Sequence, residues 1–358
     1  MSELQTALLA IGFGVIIAVY LFGWWQQRKY RRRFGAAFKS SHADALYQEA
    51  GSGQIREAVL ADMVGGAIGE AVSPADSIAT LLEGSCALLD ARSDFIIELQ
   101  LNEASPAAVL DGFWQRKFDF GKPVHVCGMA LNSTQWERAI AESQTLYMRF
   151  RIALQLVDRS GAISAAKLAD FQDLVLGIAR QVKADSTVPD VNETHRRAVE
   201  LDAFCAEVDQ MVGINLATPG EHLMLGARIA QAAALHGMTL EADGAFHSLD
   251  VQGHSAFSLI NQENRPFQHH TLETFSTAVI TLLMDVPRVE NPALQFDQMM
   301  RVAYELAEEL QADLVDDHRV ILSENGLERI RAKIVEVETK MRDNGIAPGS
   351  AQARRLFS

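Results

Sequence analysis

The sequence predicts an α+β protein: a single N-terminal transmembrane helix, then a C-terminal α/β sandwich, a mostly antiparallel sheet with helices on one face, preceded by a degenerate copy of the same fold. Three observations carry this. Residues 7–25 run without a charge as ALLAIGFGVIIAVYLFGWW. Over 206–345, segments of strand alternation and of helical spacing follow one another in the order β-α-β-β-β-α-β-α, which packs as helices against one sheet face. A similar succession of segments occupies 91–205. The 358 residues suit about two domains, and 48% hydrophobic with 22% charged is the usage of chains that bury real cores.

The apolar run 7–25 is nineteen residues long. At 1.5 Å per residue it spans ~28 Å, the thickness of a bilayer's hydrocarbon layer, and Trp24 and Trp25 stand where an aromatic belt would place them. A cleaved signal peptide would carry positive charge before the run, whereas here Glu3 precedes it and WWQQRKYRRR follows. Bases flanking a span stay in the cytoplasm, so Met1 is expected outside and everything from Gln26 onward inside. Arg28, Lys29, Arg31, Arg32 and Arg33 are expected to hold anionic lipid headgroups.

The net charge is −14, so without those five bases the rest of the chain carries −19. Such a body repels phosphate backbones, which excludes nucleic acid as a partner. Residues 26–90 form the basic juxtamembrane segment and an Ala-rich tether. The three cysteines, Cys86, Cys127 and Cys205, make no C-x-x-C pair and read as buried small apolar residues in a reducing compartment.

In the C-terminal segment, MVGINLA (211–217) alternates as a strand with Val212, Ile214 and Leu216 on one face. A helix is expected from Glu221 to His236, stopped by Gly237. Two strands then flank the loop at Gly253, the surer being Ala256–Asn261, and AVITLLMDV (278–286) is the strongest strand in the chain. Asn291 as N-cap and Pro292 open a helix with Phe296, Met299, Ala303, Leu306 and Leu310 at helical spacing. A short strand at Asp313–Asp316 leads to a last helix from Ser323, whose stripe is Leu327, Ile330, Ile334, Val337 and Met341. It ends at Asn344-Gly345, and 346–358 are a tail.

One sheet face is thereby left without a helix. Alternation assigns it Met211, Gly213, Ser258, Ile260, Gln262, Val279, Thr281 and Leu283, a shallow, partly apolar surface suited to docking. The segments FSLINQENRPF (257–267), TLLMDVP (281–287) and FDQMMRVAYELAEELQADLVDDHRV (296–320), in that order, closely resemble the C-terminal domain of the ZipA cell-division family. That family is anchored to the bacterial inner membrane by an N-terminal span. The resemblance implies a non-enzymatic, cofactor-free adaptor that tethers FtsZ filaments at the septum by binding the FtsZ C-terminal peptide in a shallow cleft on the free sheet face. Placed on this sequence, the cleft falls at Met211, Gly213, Ile260, Gln262, Thr281 and Leu283. Gln262 and Asp243 stand where better-known members carry methionine, and Gly213 where they carry a branched aliphatic residue.

Within 91–205, FIIELQL (95–101) parallels Met211–Leu216, ALQLVD (153–158) parallels Ile280–Asp285, and LADFQDLVLGIARQVKAD (168–185) parallels the helix from Phe296. A further helix is expected at 192–208. The region reads as a duplicate that serves as a spacer or a second interaction module, and an envelope scaffold binding another division protein through it is the alternative function.

Reaction chemistry is not in evidence. Gly12-Phe13-Gly14 lies inside the span, and no glycine cluster is followed by G-K-[ST]. Gly253-His254-Ser255 lacks the last glycine and the strand-to-helix turn of a nucleophile elbow. His269-His270 has no partner at ligand spacing, and Asp316-Asp317-His318 reads as a turn, so no metal is expected. A membrane-bound enzyme would need a deep pocket with convergent polar groups in 91–205.

Overall fold

The computed structural model describes Cys86 and residues 88–358, apart from positions 221 and 264. The expected span Ala7–Trp25, the basic cluster Arg28 to Arg33 and most of the tether lie outside the described residues. Among the described residues, no helix is long and apolar enough to cross a membrane.

The first half runs β1 (Asp94–Ser105), α1 (Asp111–Arg116), β2 (Val124–Ala130), β3 (Trp136–Arg138), β4 (Tyr147–Gln155), the small hairpin β5 (Val157–Asp158) and β6 (Gly161–Ala162), α2 (Ala165–Gln181), β7 (Asp185–Thr187) and α3 (Val191–Val208). Its sheet has the order β3-β2-β4-β1-β7. Alternation decides what each strand buries: Phe95, Ile97 and Leu99 of β1 and Phe150, Ile152 and Leu154 of β4 are inaccessible. The α2 stripe of Leu168, Phe171, Val175 and Ile178 closes over them, its first turn capped by the Ser164 hydroxyl, which accepts from the Lys167 N–H.

The second half runs β8 (Met211–Ala217), β9 (Met224–Leu225), α4 (Gly226–Leu235), β10 (Thr239–Leu240), β11 (Phe246–Leu249), β12 (Ser255–Asn261), β13 (Ser276–Thr277), β14 (Val279–Asp285), α5 (Pro292–Leu310), β15 (Asp313–Val315), α6 (Glu324–Asp343) and α7 (Ala351–Leu356). Its sheet has the order β10-β11-β12-β14-β8-β15, every neighbouring pair antiparallel. The central run β12-β14-β8-β15 has the pairing senses of β2-β4-β1-β7 in the first half. The two sheets part at the outer edge, where β3 follows β2 in the chain but β11 precedes β12.

The α5 stripe expected from spacing, Phe296, Met299, Ala303, Leu306 and Leu310, is buried throughout. Burying a side chain of this size removes ~1.5–3 kcal/mol of apolar exposure, so the stripe alone accounts for the helix's docking. Asn291 stands at the helix start but does not cap it. Its backbone is left-handed and its Oδ1 accepts from Arg342 Nη2 at 3.1 Å, joining the start of α5 to the end of α6. Gly237, at φ +72°, follows α4 as the sequence predicts.

Three expectations are corrected. The helix expected from Glu221 begins at Gly226, because Met224 and Leu225 pair with Thr277 and Ser276. Gly226 then passes the chain so closely that a Cβ there would lie 2.6 Å from the Leu272 carbonyl oxygen. The tail 346–358 is folded: α7 buries Ala353 and Leu356, and Phe357 beyond it is 1% exposed. Finally, Cys86 and Cys127 form a disulfide rather than separate thiols. Cys205 is free, and burial, with Asp202 and Asp209 nearby, pushes its thiol up to about 12.

The hydrophobic core passes without a break from the first half to the second, from Phe95 through Val208 and Ile214 to Phe357. Polar ties follow the same seam. Arg159 sends two hydrogen bonds to Asp285 at 2.8 Å and three to Asp209 at 2.6–3.1 Å. Arg355 of α7 reaches Asp94 of β1 and donates to the Leu88 carbonyl at 2.8 Å, while its own carbonyl accepts from Gln155 Nε2 at 3.0 Å.

A candidate peptide-docking face on the second sheet

Helices cover one side of the second sheet, where Ile214, Leu216, Leu259, Ile280, Leu282 and Met284 are inaccessible. The register fixes the opposite side in rows. Leu283 of β14 lies between Gly213 of β8 and Ser258 of β12, with His247 of β11 beyond Ser258. In the next row, Thr281 lies between Asn215 and Ile260, with Val315 beyond Asn215. Met211 faces Asp285 at the end of the β8–β14 pair.

The residues of the expected cleft therefore meet on one surface, but they are not equivalent. Met211, Gly213, Ile260 and Leu283 are partly exposed, and Gln262, just beyond β12, is exposed. Gly213 presents no side chain beside Leu283. Thr281 is 3% exposed and belongs to the floor: its hydroxyl donates to Asn215 Oδ1 at 2.7 Å, and Asn215 Nδ2 donates to Asp317 Oδ1 at 3.0 Å. Val279, also expected on the surface, is buried with Ala217 and Val315 in a small apolar cluster at one end of the face. What remains open is a strip of Met211, Leu283 and Ile260 beside a polar relay.

Asn215 was within reach of sequence reasoning, since alternation puts it on the same face as Gly213. Asp317 was not, because it lies 102 positions away in a turn. Near the far rim, Asp243, His247 and Ser255 come together, His247 Nε2 lying 2.9 Å from Asp243 Oδ2 and Nδ1 2.8 Å from Ser255 Oγ. This resembles a nucleophile relay without its other half. The N–H groups of Gln252, Gly253 and His254 in the adjoining turn all donate to Asp250, so the turn holds none of them free for a developing oxyanion. His269 and His270 lie exposed, and no cluster of metal-ligating side chains forms among the described residues.

The pattern of this surface can be set beside known sequences. Residues 210–333 match the family model described as ZipA, C-terminal FtsZ-binding domain. This segment belongs to the ZipA family. The ZipA-type domain holds all six expected cleft residues, on β8, on β14, on β12 and just beyond it. Cell division protein ZipA of Ectopseudomonas mendocina (strain ymp) is 27% identical over 157 residues, 43% of this chain and 58% of that protein. Its namesake from Colwellia psychrerythraea is 28% identical over 137 residues, 37% of this chain and 36% of the other. The protein from Pseudomonas aeruginosa (strain LESB58) is 27% identical over 139 residues, 38% and 48% of the two chains. The chain thus spans between about a third and three fifths of the length of these curated relatives.

Proposed function

We propose that this chain is a membrane-anchored, non-enzymatic cell-division adaptor, which holds FtsZ filaments at the cytoplasmic face of the inner membrane by docking the FtsZ C-terminal peptide on the open face of its ZipA-type domain. The observation that carries this is the partly exposed strip of Met211, Leu283 and Ile260, beside Gly213, on a sheet face that no helix covers among the described residues, inside the segment that matches an FtsZ-binding family model. Charge-free residues 7–25 supply the anchor and Arg28, Lys29, Arg31, Arg32 and Arg33 the headgroup contacts. Each peptide contact is weak, but many anchored copies on one filament bind by avidity, because each later event is intramolecular.

In this reading residues 91–205 are a degenerate duplicate that acts as a spacer. The shared pairing of β2-β4-β1-β7 and β12-β14-β8-β15 supports common descent. The spacer role is supported by the face of the first sheet turned away from α2, which the chain itself occupies: Leu88 and Leu89 pack beside the Cys86–Cys127 bond against Met129 and Trp136. In the cytoplasm the two sulfurs would stand as thiols at the same place.

The test is a titration of the full chain, in detergent or lipid nanodiscs, with labelled FtsZ C-terminal peptide. Saturable binding is expected, and Leu283→Asp should weaken it at least ~10-fold, since one buried leucine contributes ~1.5–3 kcal/mol and a carboxylate adds desolvation cost. An unbound peptide ends the reading, and an unaffected variant ends this placement of the cleft.

A further inference from the structure

The floor of the open face carries a cost that an apolar floor would not. Asn215 and Thr281 are each 3% exposed at the middle of the sheet, where hydrophobic residues would pack without a hydrogen-bonding requirement. Their bonds run in one direction. The Thr281 hydroxyl fixes the Asn215 amide, and the amide's N–H fixes Asp317 at Oδ1. A carboxylate has acceptor capacity for about four donors, and Oδ2 of Asp317 has no hydrogen bond among the described residues. The relay thus holds an exposed carboxylate in one position on the β8–β15 side of the Ile260–Leu283 strip.

A second carboxylate stands on the other side. Asp243 has a side chain 59% exposed and is oriented by His247, whose ring shares a row with Ser258 and Leu283. Beyond Met211, Asp209 and Asp285 are paired with Arg159, and Arg288 also acts on Asp285, so that end is balanced and the unmatched carboxylates are the two on the rims. Arg319, in the same turn as Asp317, forms no ion pair with it among the described residues.

We propose that this face selects a cationic amphipathic peptide, whose apolar stripe lies on Met211, Leu283 and Ile260 and whose lysine or arginine side chains meet Asp317 on one side and Asp243 on the other. The inference rests on the peptide-docking reading above and adds to it the chemistry of the peptide. Complementary rim charges act mainly on encounter and selectivity and are screened by salt, whereas the apolar strip is not. The two contributions are therefore separable by experiment.

The full chain in nanodiscs is titrated with three peptides: the FtsZ C-terminal peptide, an amphipathic probe with leucines at i, i+3, i+4 and i+7 flanked by lysines, and the same probe with glutamines for lysines. Asp317→Asn and Asp243→Asn, which keep shape and hydrogen-bonding capacity, are compared with the unaltered chain. At low salt the lysine probe should bind several-fold tighter than the glutamine probe. Each Asn variant should weaken the lysine probe by about 1.5- to 5-fold, the range of a surface ion pair, and leave the glutamine probe unchanged. High salt should close the gap. Equal binding of the two probes, or no effect of either variant on the lysine probe, overturns the proposal. If the FtsZ peptide fails while the lysine probe binds through Asp317, the FtsZ reading falls and the cationic selectivity stands. If the FtsZ peptide binds and lysine and glutamine probes do not differ, the reverse holds, and failure of all three peptides removes both.

Discussion

At the scale of single residues, Arg159 and His125 have consequences that can be measured. Burial pushes the Asp285 carboxyl upward and Arg159 pulls it back, while Asp285 and Asp209 together more than offset the cost of burying the Arg159 charge. Arg159→Met should therefore leave two carboxylates without their cation. Complete loss of a buried pair's partner costs 3–5 kcal/mol; with the Arg159 side chain 24% exposed, about 2–3 kcal/mol is expected in a denaturant titration. Burial first, then the charge of Arg355, lowers the His125 imidazole below its ordinary 6.5. The folded state thus disfavours the protonated ring. Its contribution is fully present above the unfolded value and is lost as pH falls from about 6.5 through the lower folded value. His125→Gln should flatten the acid side of the stability profile in that window. The identities of Leu283, Ile260 and Met211 as surface residues were legible from a two-residue period. The burial of Thr281 was not, because it follows from Asn215 and Asp317, which alternation along β14 cannot reveal.

Elements differed in legibility for a physical reason. Helices α2 and α5 carry their apolar stripes in local spacing, and strands β8, β12 and β14 carry theirs in alternation, so their existence and buried faces were readable. The pairing of β9 with β13 involves two residues in each strand, too few to show a period, and it displaced the start of α4. The last helix, α7, was unreadable for a different reason: its anchoring residue Arg355 finds Asp94 across 261 positions. The segment ahead of β1 is likewise held from afar, by the bond between Cys86 and Cys127. That bond closes a loop with a separation of 41 residues, for which chain entropy gives ~4 kcal/mol of stabilisation. Reduction of the oxidised protein should lower its unfolding free energy by an amount approaching this, read from a denaturant titration, and Cys127→Ala should remove the response to reductant.

For the whole molecule, the unbroken core predicts that the two halves do not unfold separately. Amides of Leu99 and Phe150 in the first half and of Leu216 and Leu282 in the second should exchange through openings of equal free energy. Removing residues 346–358 takes away Leu356, Phe357 and the Arg355–Asp94 tie, and should split those values into two groups. The sequence displayed two related successions of segments and suggested two modules; their fusion was hidden, because it depends on residues such as Arg159 and Phe357 that belong to neither pattern. One further property follows from where Leu283 sits. Its strand, β14, is laddered to β12 on one side and β8 on the other, so a pull on a peptide docked there, as proposed, would fall on an interior strand and not on one that can peel from an edge. Under rising tension the grip should slip before the sheet tears, which makes the attachment renewable.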